Sequence, residues 1–205
     1  MIKAIVFDLG GVLFFEGKAV VRDKLAREYG YDAALIDKIL RSPKSIDLRK
    51  GLIEDDEFWQ WVQRRLPEGY DAGLVKREWY EGYTLDRDIF ELIGKLKRRY
   101  RIVAFSGNIK SRIDFLEGRY RFRSLFDVEV YSFDHHATKP EKKFVEIMLR
   151  ESNCRPEEII YVDDNDSYAR PARELGINVL IYARGEADKL KREMQKWGVE
   201  INAGF

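Results

Sequence analysis

The sequence predicts an α/β protein: a doubly wound parallel sheet with a small helical domain inserted after its first strand. Three observations predict it. Short apolar runs rich in Ile, Val and Phe recur at residues 2–7, 101–105 and 158–162, and each ends on polar or charged residues. Segments with helical spacing alternate with these runs after residue 85. Between residues 15 and 85 the recurring spacing is helical, with no strand-like run.

The elements follow in order. Ile2-Lys3-Ala4-Ile5-Val6-Phe7 reads as a buried parallel strand, because a strand covered on both faces needs no polar alternation. It ends on Asp8, and Gly10 and Gly11 then let the backbone turn sharply and approach a ligand. Val20, Val21, Leu25 and Tyr29 follow a helical period, as do Leu35, Ile36, Ile39 and Leu40. Asp56-Glu57-Phe58-Trp59-Gln60-Trp61-Val62 starts another helix, with acids in its first turn. Trp79, Tyr80 and Tyr83 precede the return to the sheet near Leu85.

From there strands at 101–106, 126–132, 159–163 and 177–182 alternate with helices starting near 110 and spanning 141–152 and 167–175. Asp166 reads as the N-cap of the last of these. The alternation implies βαβ units, hence a parallel sheet. Residues 1–14 and 86–205 are expected to form this core, and 15–85 the inserted helical domain. A final helix over 186–197 is expected to pack Leu190, Met194 and Trp197 on the core.

Composition excludes several classes. The 205 residues suit one α/β domain with an insertion. Charged residues make up 36% of the chain, yet the net charge is only +1, so no nucleic-acid partner is expected. No apolar stretch reaches bilayer length and the N-terminal run lacks a cleavage-site pattern, so the expectation is a cytoplasmic protein off the membrane. Cys154 is the single cysteine, which rules out an internal disulfide, and it reads as an inert thiol. Oligomeric state is not fixed by the sequence.

The chemistry lies at the strand tips. Asp8 ends the first strand, Ser106-Gly107-Asn108 ends the second, and Asp163-Asp164 ends the fourth, with Lys139-Pro140 opening the helix before it. Open α/β sheets place their ligand crevice at the carboxyl ends of the strands. A buried carboxylate there needs a partner, such as a metal ion. Taken singly, each residue has a plainer reading: Asp8 as a turn or cap residue, Ser106 as a turn residue, Lys139 as a surface lysine, and Asp163-Asp164 as a solvated turn. The ordered set is far more specific than its parts. His135-His136 looks like a metal pair, but adjacent side chains diverge and no third ligand is spaced for it. Trp59, Trp61, Trp79 and Tyr83 are core aromatics by default, with room for one or two at a substrate mouth.

This set resembles the haloacid dehalogenase superfamily of phosphohydrolases. Its four motifs appear in order as Phe7-Asp8-Leu9-Gly10-Gly11-Val12, Phe105-Ser106-Gly107, Thr138-Lys139-Pro140 and Val162-Asp163-Asp164. The resemblance is closest to the branch with a small helical cap after the first strand. That branch includes sugar-phosphate phosphatases, haloacid dehalogenases and the phosphatase domain of epoxide hydrolases.

The resemblance implies a phosphomonoester hydrolase acting on a small phosphorylated metabolite such as a sugar phosphate. Asp8 would be the nucleophile and form an aspartyl-phosphate. Mg²⁺ would be held by Asp8, the Gly10 carbonyl, Asp163 and Asp164, with Asp164 the better candidate for direct contact. Ser106, Gly107, Asn108 and Lys139 would hold the phosphoryl group, and Lys139 would keep Asp8 ionised. Arg49, Lys50, Trp79 and Tyr83 are candidate specificity residues, with Arg49-Lys50 expected in a loop before Gly51.

Two departures matter. Most phosphatases of the family carry a second Asp two residues after the nucleophile, as general acid and base. Here that place is Gly10. Such help is typically worth about 10²–10⁴ in rate. Without it, the rate should depend steeply on the leaving group, unless the substrate or a cap residue supplies the proton. Some phosphatases of the cap-bearing branch also have Gly at this place. Tyr168 is the second departure, standing where a polar residue often follows the acidic pair. Two alternatives stay open: a phosphate-binding or regulatory protein with little turnover, and a dehalogenase-type hydrolase. The acidic pair argues against the latter, which does not need it.

Overall fold

The computed structural model describes residues 1–15 and 18–201; residues 16–17 of the expected inserted domain and 202–205 of the expected core lie outside them. In chain order the elements are β1 (Ala4–Phe7), β2 (Phe14–Phe15), α1 (Lys18–Tyr29), α2 (Ala33–Leu40), α3 (Pro43–Arg49), α4 (Asp55–Gln63) and α5 (Ala72–Glu81). After them come β3 (Thr84–Leu85), α6 (Arg87–Leu96), β4 (Arg101–Ser106), α7 (Lys110–Tyr120), β5 (Val128–Tyr131), α8 (Ser132–His135) and α9 (Lys142–Ser152). The chain continues through β6 (Ile159–Asp163), α10 (Asp166–Glu174), β7 (Asn178–Ile181) and α11 (Ala187–Lys196).

Five strands form one parallel sheet in the order β5-β4-β1-β6-β7. The central strand β1 is buried at every residue. Its side chains alternate between two apolar layers, as strand geometry requires. Ile5 and Phe7 join one layer with residues of α6, α7 and α11, while Ala4 and Val6 join the other with residues of α9 and α10. Covering both faces is what makes the strands read as unbroken apolar runs.

A separate two-stranded antiparallel pair, β2 with β3, marks where the chain leaves the sheet layer and returns to it. Helices α1–α5 lie between these two strands. Several contacts join this helical insertion to the core. Ser111 Oγ on α7 donates to Asp55 Oδ1 on α4 at 2.6 Å. Ser132 Oγ donates to the Arg49 carbonyl at 2.5 Å. Gly51 has φ +64°, and a Cβ there would meet the Phe133 carbonyl oxygen at 2.6 Å, so only glycine permits this close approach.

The helical period of Val20, Val21, Leu25 and Tyr29 is α1, in which Val21 and Leu25 are buried and Val20 and Tyr29 exposed. Two sequence expectations are corrected. Trp197 is 49% exposed: α11 ends at Lys196 and only Leu190 and Met194 reach the core. Asn165, not Asp166, caps α10, and its side chain accepts from the Ser167 and Tyr168 amides. Among the described residues, no helix is long and apolar enough to cross a membrane.

Candidate active site

β1 occupies the centre of the sheet, with β4 on one side and β6 on the other. The pairing register sets Phe7 level with Ala104 and with Val162. Asp8, Ser106 and Asp163 therefore emerge at the same carboxyl edge of the sheet, where strand order reverses and a crevice opens. A cleft of about 460 Å³ lies there, lined among others by Asp8, Gly10, Ser106, Lys139 and Asp164.

Asp8 is only 5% exposed. Its Oδ1 accepts from the Leu9 amide at 2.7 Å, and its Oδ2 pairs with Lys139 Nζ at 2.7 Å. The same ammonium lies 2.8 Å from Asp163 Oδ2 and donates to Tyr161 Oη at 3.2 Å. Tyr161 Oη donates to Asp163 Oδ2, and the Asn165 amide donates to Asp163 Oδ1 at 2.8 Å. Both oxygens of Asp163 are thus engaged, and the residue is fully buried. Asp164 is exposed and faces the cleft.

The electrostatics follow from this burial. Burial pushes the Asp8 carboxyl up, to about 7; Lys139 pulls it back, and Asp163 and Asp164 add to the rise. Burial alone would depress the Lys139 ammonium, but Asp8, Tyr161 and Asp163 outweigh it and hold the group well above the usual lysine range. Burial likewise holds the Tyr161 phenol well above its ordinary value, so it stays a donor to Asp163. Lysine 139 is a fixed cation shared between two carboxylates.

Carboxylate oxygens of Asp8, Asp163 and Asp164 lie within 4.8 Å of one another. An all-oxygen donor set of this kind fits a hard cation such as Mg²⁺. Gly11 has φ +85°, and a Cβ there would overlap the Asp164 carboxyl group. Glycine at this position is what lets Asp164 reach the loop after β1. Gly107 plays a similar part: its Cβ would meet Thr138 Oγ1 at 2.5 Å, so the loop after β4 can lie directly on the segment that carries Lys139. The Lys139–Pro140 peptide is cis.

Of the phosphate-holding candidates, Ser106, Gly107, Asn108 and Lys139 all line the cleft. Asn108 is buried, and its Oδ1 accepts from Arg112 Nε at 2.8 Å and from the Ile109 amide at 2.9 Å. Of the four specificity candidates, Arg49 and Tyr83 line the cleft and two do not. Lys50 pairs with Glu141 at 2.7 Å, and its carbonyl meets His136 Nδ1 at 2.8 Å. Trp79 is fully buried, with its ring 6.1 Å from that of Trp59. Arg49 ends α3 and Lys50 is its C-cap, so the pair belongs to a helix end rather than a loop. Among the described residues, His135 and His136 join no metal-holding group.

Sequence reasoning missed Tyr161, Arg112 and Arg41. Tyr161 stands two residues before Asp163 on β6, and the period of a strand alone puts the two on one face. Arg112 follows Asn108 by four residues, the spacing of helix neighbours, but nothing local signals that it is buried. Arg41 enters the cleft from the end of α2, and its Nε donates to Asp37.

Comparison with known proteins agrees with this geometry. A Dictyostelium discoideum protein of uncharacterised function is 41% identical over 219 residues, covering 92% of this chain and 94% of that one. D-ribitol-5-phosphate phosphatase of Bacteroides thetaiotaomicron is 26% identical over 190 residues, covering 86% and 89%. A haloacid dehalogenase family enzyme of the same bacterium, solved with magnesium and inorganic phosphate, shares the fold at a TM-score of 0.74 and 21% identity, covering 90% and 96%. The sequence pattern of haloacid dehalogenase-like hydrolases matches residues 2–176, which include every strand tip of the cleft. With its strand-tip carboxylates, shared lysine and matching pattern, the chain belongs to the haloacid dehalogenase-like hydrolase family.

Proposed function

We propose that the protein is a Mg²⁺-dependent phosphomonoester hydrolase that acts on a small phosphorylated metabolite such as a sugar phosphate, with residues 15–85 forming a cap over a core of 1–14 and 86–205. The observation that carries this reading is the group of three carboxylates, Asp8, Asp163 and Asp164, beside a buried lysine that lines the cleft. Asp8, Asp164 and the Gly10 carbonyl would hold the cation, with Asp163 holding Lys139 in place and supporting the ion. When bound, the ion supplies positive charge against the nucleophile and the phosphoryl oxygens.

The residues of the chain do the rest. An Asp8 oxygen attacks phosphorus as the ester P–O bond breaks, which leaves an aspartyl-phosphate and an alkoxide that takes up a proton. Water then splits the acyl phosphate, releasing inorganic phosphate and restoring the carboxylate. Ser106, with the Gly107–Asn108 segment and Lys139, holds the phosphoryl oxygens through the reaction. Arg49 and Tyr83, which line the cleft from the insertion side, select the group beyond the phosphate.

The test is a panel of phosphorylated metabolites assayed with Mg²⁺ and with chelator. Turnover of at least one sugar phosphate that is lost with chelator is expected. Binding of phosphate without turnover of any ester would favour a phosphate-binding protein instead, a reading that Gly10 keeps in play because position 10 has no acid. Release of halide from 2-haloacids without any need for metal would favour a dehalogenase.

A further inference from the structure

The phosphatase reading leaves one atom unserved. The oxygen that departs from phosphorus must gain a proton, and it leaves on the side opposite the attacking Asp8 oxygen. Ser106 and Lys139 lie on the phosphoryl side, at the sheet edge with Asp8. Position 10, at the loop that follows β1, is glycine and offers no donor.

Tyr83 fills the space in front of it. A Cβ built on Gly10 would meet Tyr83 Cε1 at 3.8 Å, an ordinary van der Waals contact. Cε1 is bonded to the carbon that carries the hydroxyl, so the ring edge beside the hydroxyl is the part that meets Gly10. The ring lines the cleft with Asp8, although the residue is 2% exposed overall. It is also held firmly. Its residue precedes β3, whose pairing with β2 ties it to the loop that begins at Asp8. Behind it lies Arg112, 1% exposed, with its guanidinium carbon 4.2 Å from the ring centroid and its Nε bonded to Asn108.

We propose that Tyr83 is the proton donor to the leaving group, taking over from the insertion side the task that glycine at position 10 cannot perform. This rests on the phosphatase reading. As the Asp8–phosphorus bond forms and the ester bond breaks, the phenol proton passes to the departing oxygen, which leaves as an alcohol. The water that splits the aspartyl-phosphate returns a proton to the phenolate. Arg112 suits this arrangement, because a buried cation against the ring face gains attraction as negative charge develops on the ring, in surroundings that screen it poorly.

Two measurements test the proposal. The first follows wild-type turnover across phosphate esters of rising leaving-group pKa, from 4-nitrophenyl phosphate to the alkyl phosphate the protein cleaves fastest. A shallow dependence is expected, and a steep one overturns the assignment. The second compares Tyr83→Phe with wild type on the two ends of the series, with melting temperature as a check on folding. The variant should lose at least tenfold more kcat/KM on the alkyl ester than on the aryl ester, within the range of about 10²–10⁴ that acid–base help supplies. Adding Gly10→Asp to Tyr83→Phe should recover alkyl turnover. An equal loss on both esters, or no loss on either, overturns the proposal and leaves the phosphatase reading standing. Absence of turnover of any ester by wild type would sink both.

Discussion

Gly11 and Asp164 fit together only because one of them has no side chain. Gly11 adopts a left-handed backbone, and any Cβ there would overlap the Asp164 carboxyl group. The turn after β1 and the turn after β6 are thereby pressed together, and the three carboxylates converge. Gly11→Ala would add both backbone strain and a clash, and the shortest relief is to push Asp164 away. Mg²⁺ affinity and phosphatase activity should both fall at least tenfold, read by calorimetry and by turnover. Unchanged Mg²⁺ affinity in that variant would mean that Asp164 does not hold the ion.

Asp8 and Lys139 predict a contrast between activity and stability. Asp8→Asn keeps the shape of the side chain, and Lys139 still pairs with Asp163 at 2.8 Å. It also removes a carboxylate that burial disfavours. Phosphatase activity should vanish while the melting temperature stays within about 4 °C of wild type, roughly 1 kcal/mol for a chain of this size. Lys139→Met should behave differently. It leaves Asp8 and Asp163 buried together without a cation, a loss of about 3–5 kcal/mol when a buried pair is broken. That loss should shrink at pH 5, where Asp8 takes up a proton, and be largest at pH 8. Chemical denaturation of the variants at the two pH values measures it.

Asp163 and Asp164 are neighbours with different tasks. Asp163 has both oxygens engaged, with Lys139, Tyr161 and the Asn165 amide, while Asp164 faces the cleft. Asp164→Ala should lose metal binding and catalysis with little change in stability. Asp163→Ala should in addition destabilise the fold, because it strips a buried ammonium and a buried phenol of a shared acceptor. Equal melting temperatures for the two variants would contradict this division.

Much of the sheet and the three functional strand tips was legible in the sequence for a physical reason. Strands buried on both faces are written as apolar runs, and a carboxylate at the end of such a run is costly enough to stand out. What lay hidden was set by contacts between distant segments. Tyr83 meets the Gly10 loop only because β2 and β3 pair, and Arg112 is buried only because the insertion folds over α7. At the end of α3, Arg49 enters the cleft while Lys50, next to it, pairs with Glu141. Adjacent residues on a helix point apart, and the sequence does not say which one faces in.

The raised pKa of Asp8 makes metal binding a proton-linked event. In the metal-free protein the carboxyl is pushed up to about 7, from burial first and the neighbouring carboxylates after it, against the pull of Lys139. Its folded value lies above its unfolded one, so the folded state binds more protons than the unfolded state between about pH 4 and pH 7. By linkage the metal-free protein therefore loses stability as pH rises through that window. A divalent cation binds the carboxylate and not the acid. Mg²⁺ must then displace a proton near neutral pH, and its apparent affinity should climb as pH rises from 6 to 8. Calorimetric titrations in two buffers of different ionisation heat should show proton release at pH 6.5 and little at pH 8.5. Thermal melts should show a larger Mg²⁺-induced rise in melting temperature at pH 8 than at pH 6. In Asp8→Asn, which has no proton to displace, both differences should disappear. A Mg²⁺ shift of equal size at the two pH values in wild type would mean that Asp8 is already fully ionised before the ion arrives, with Lys139 outweighing the cost of burial.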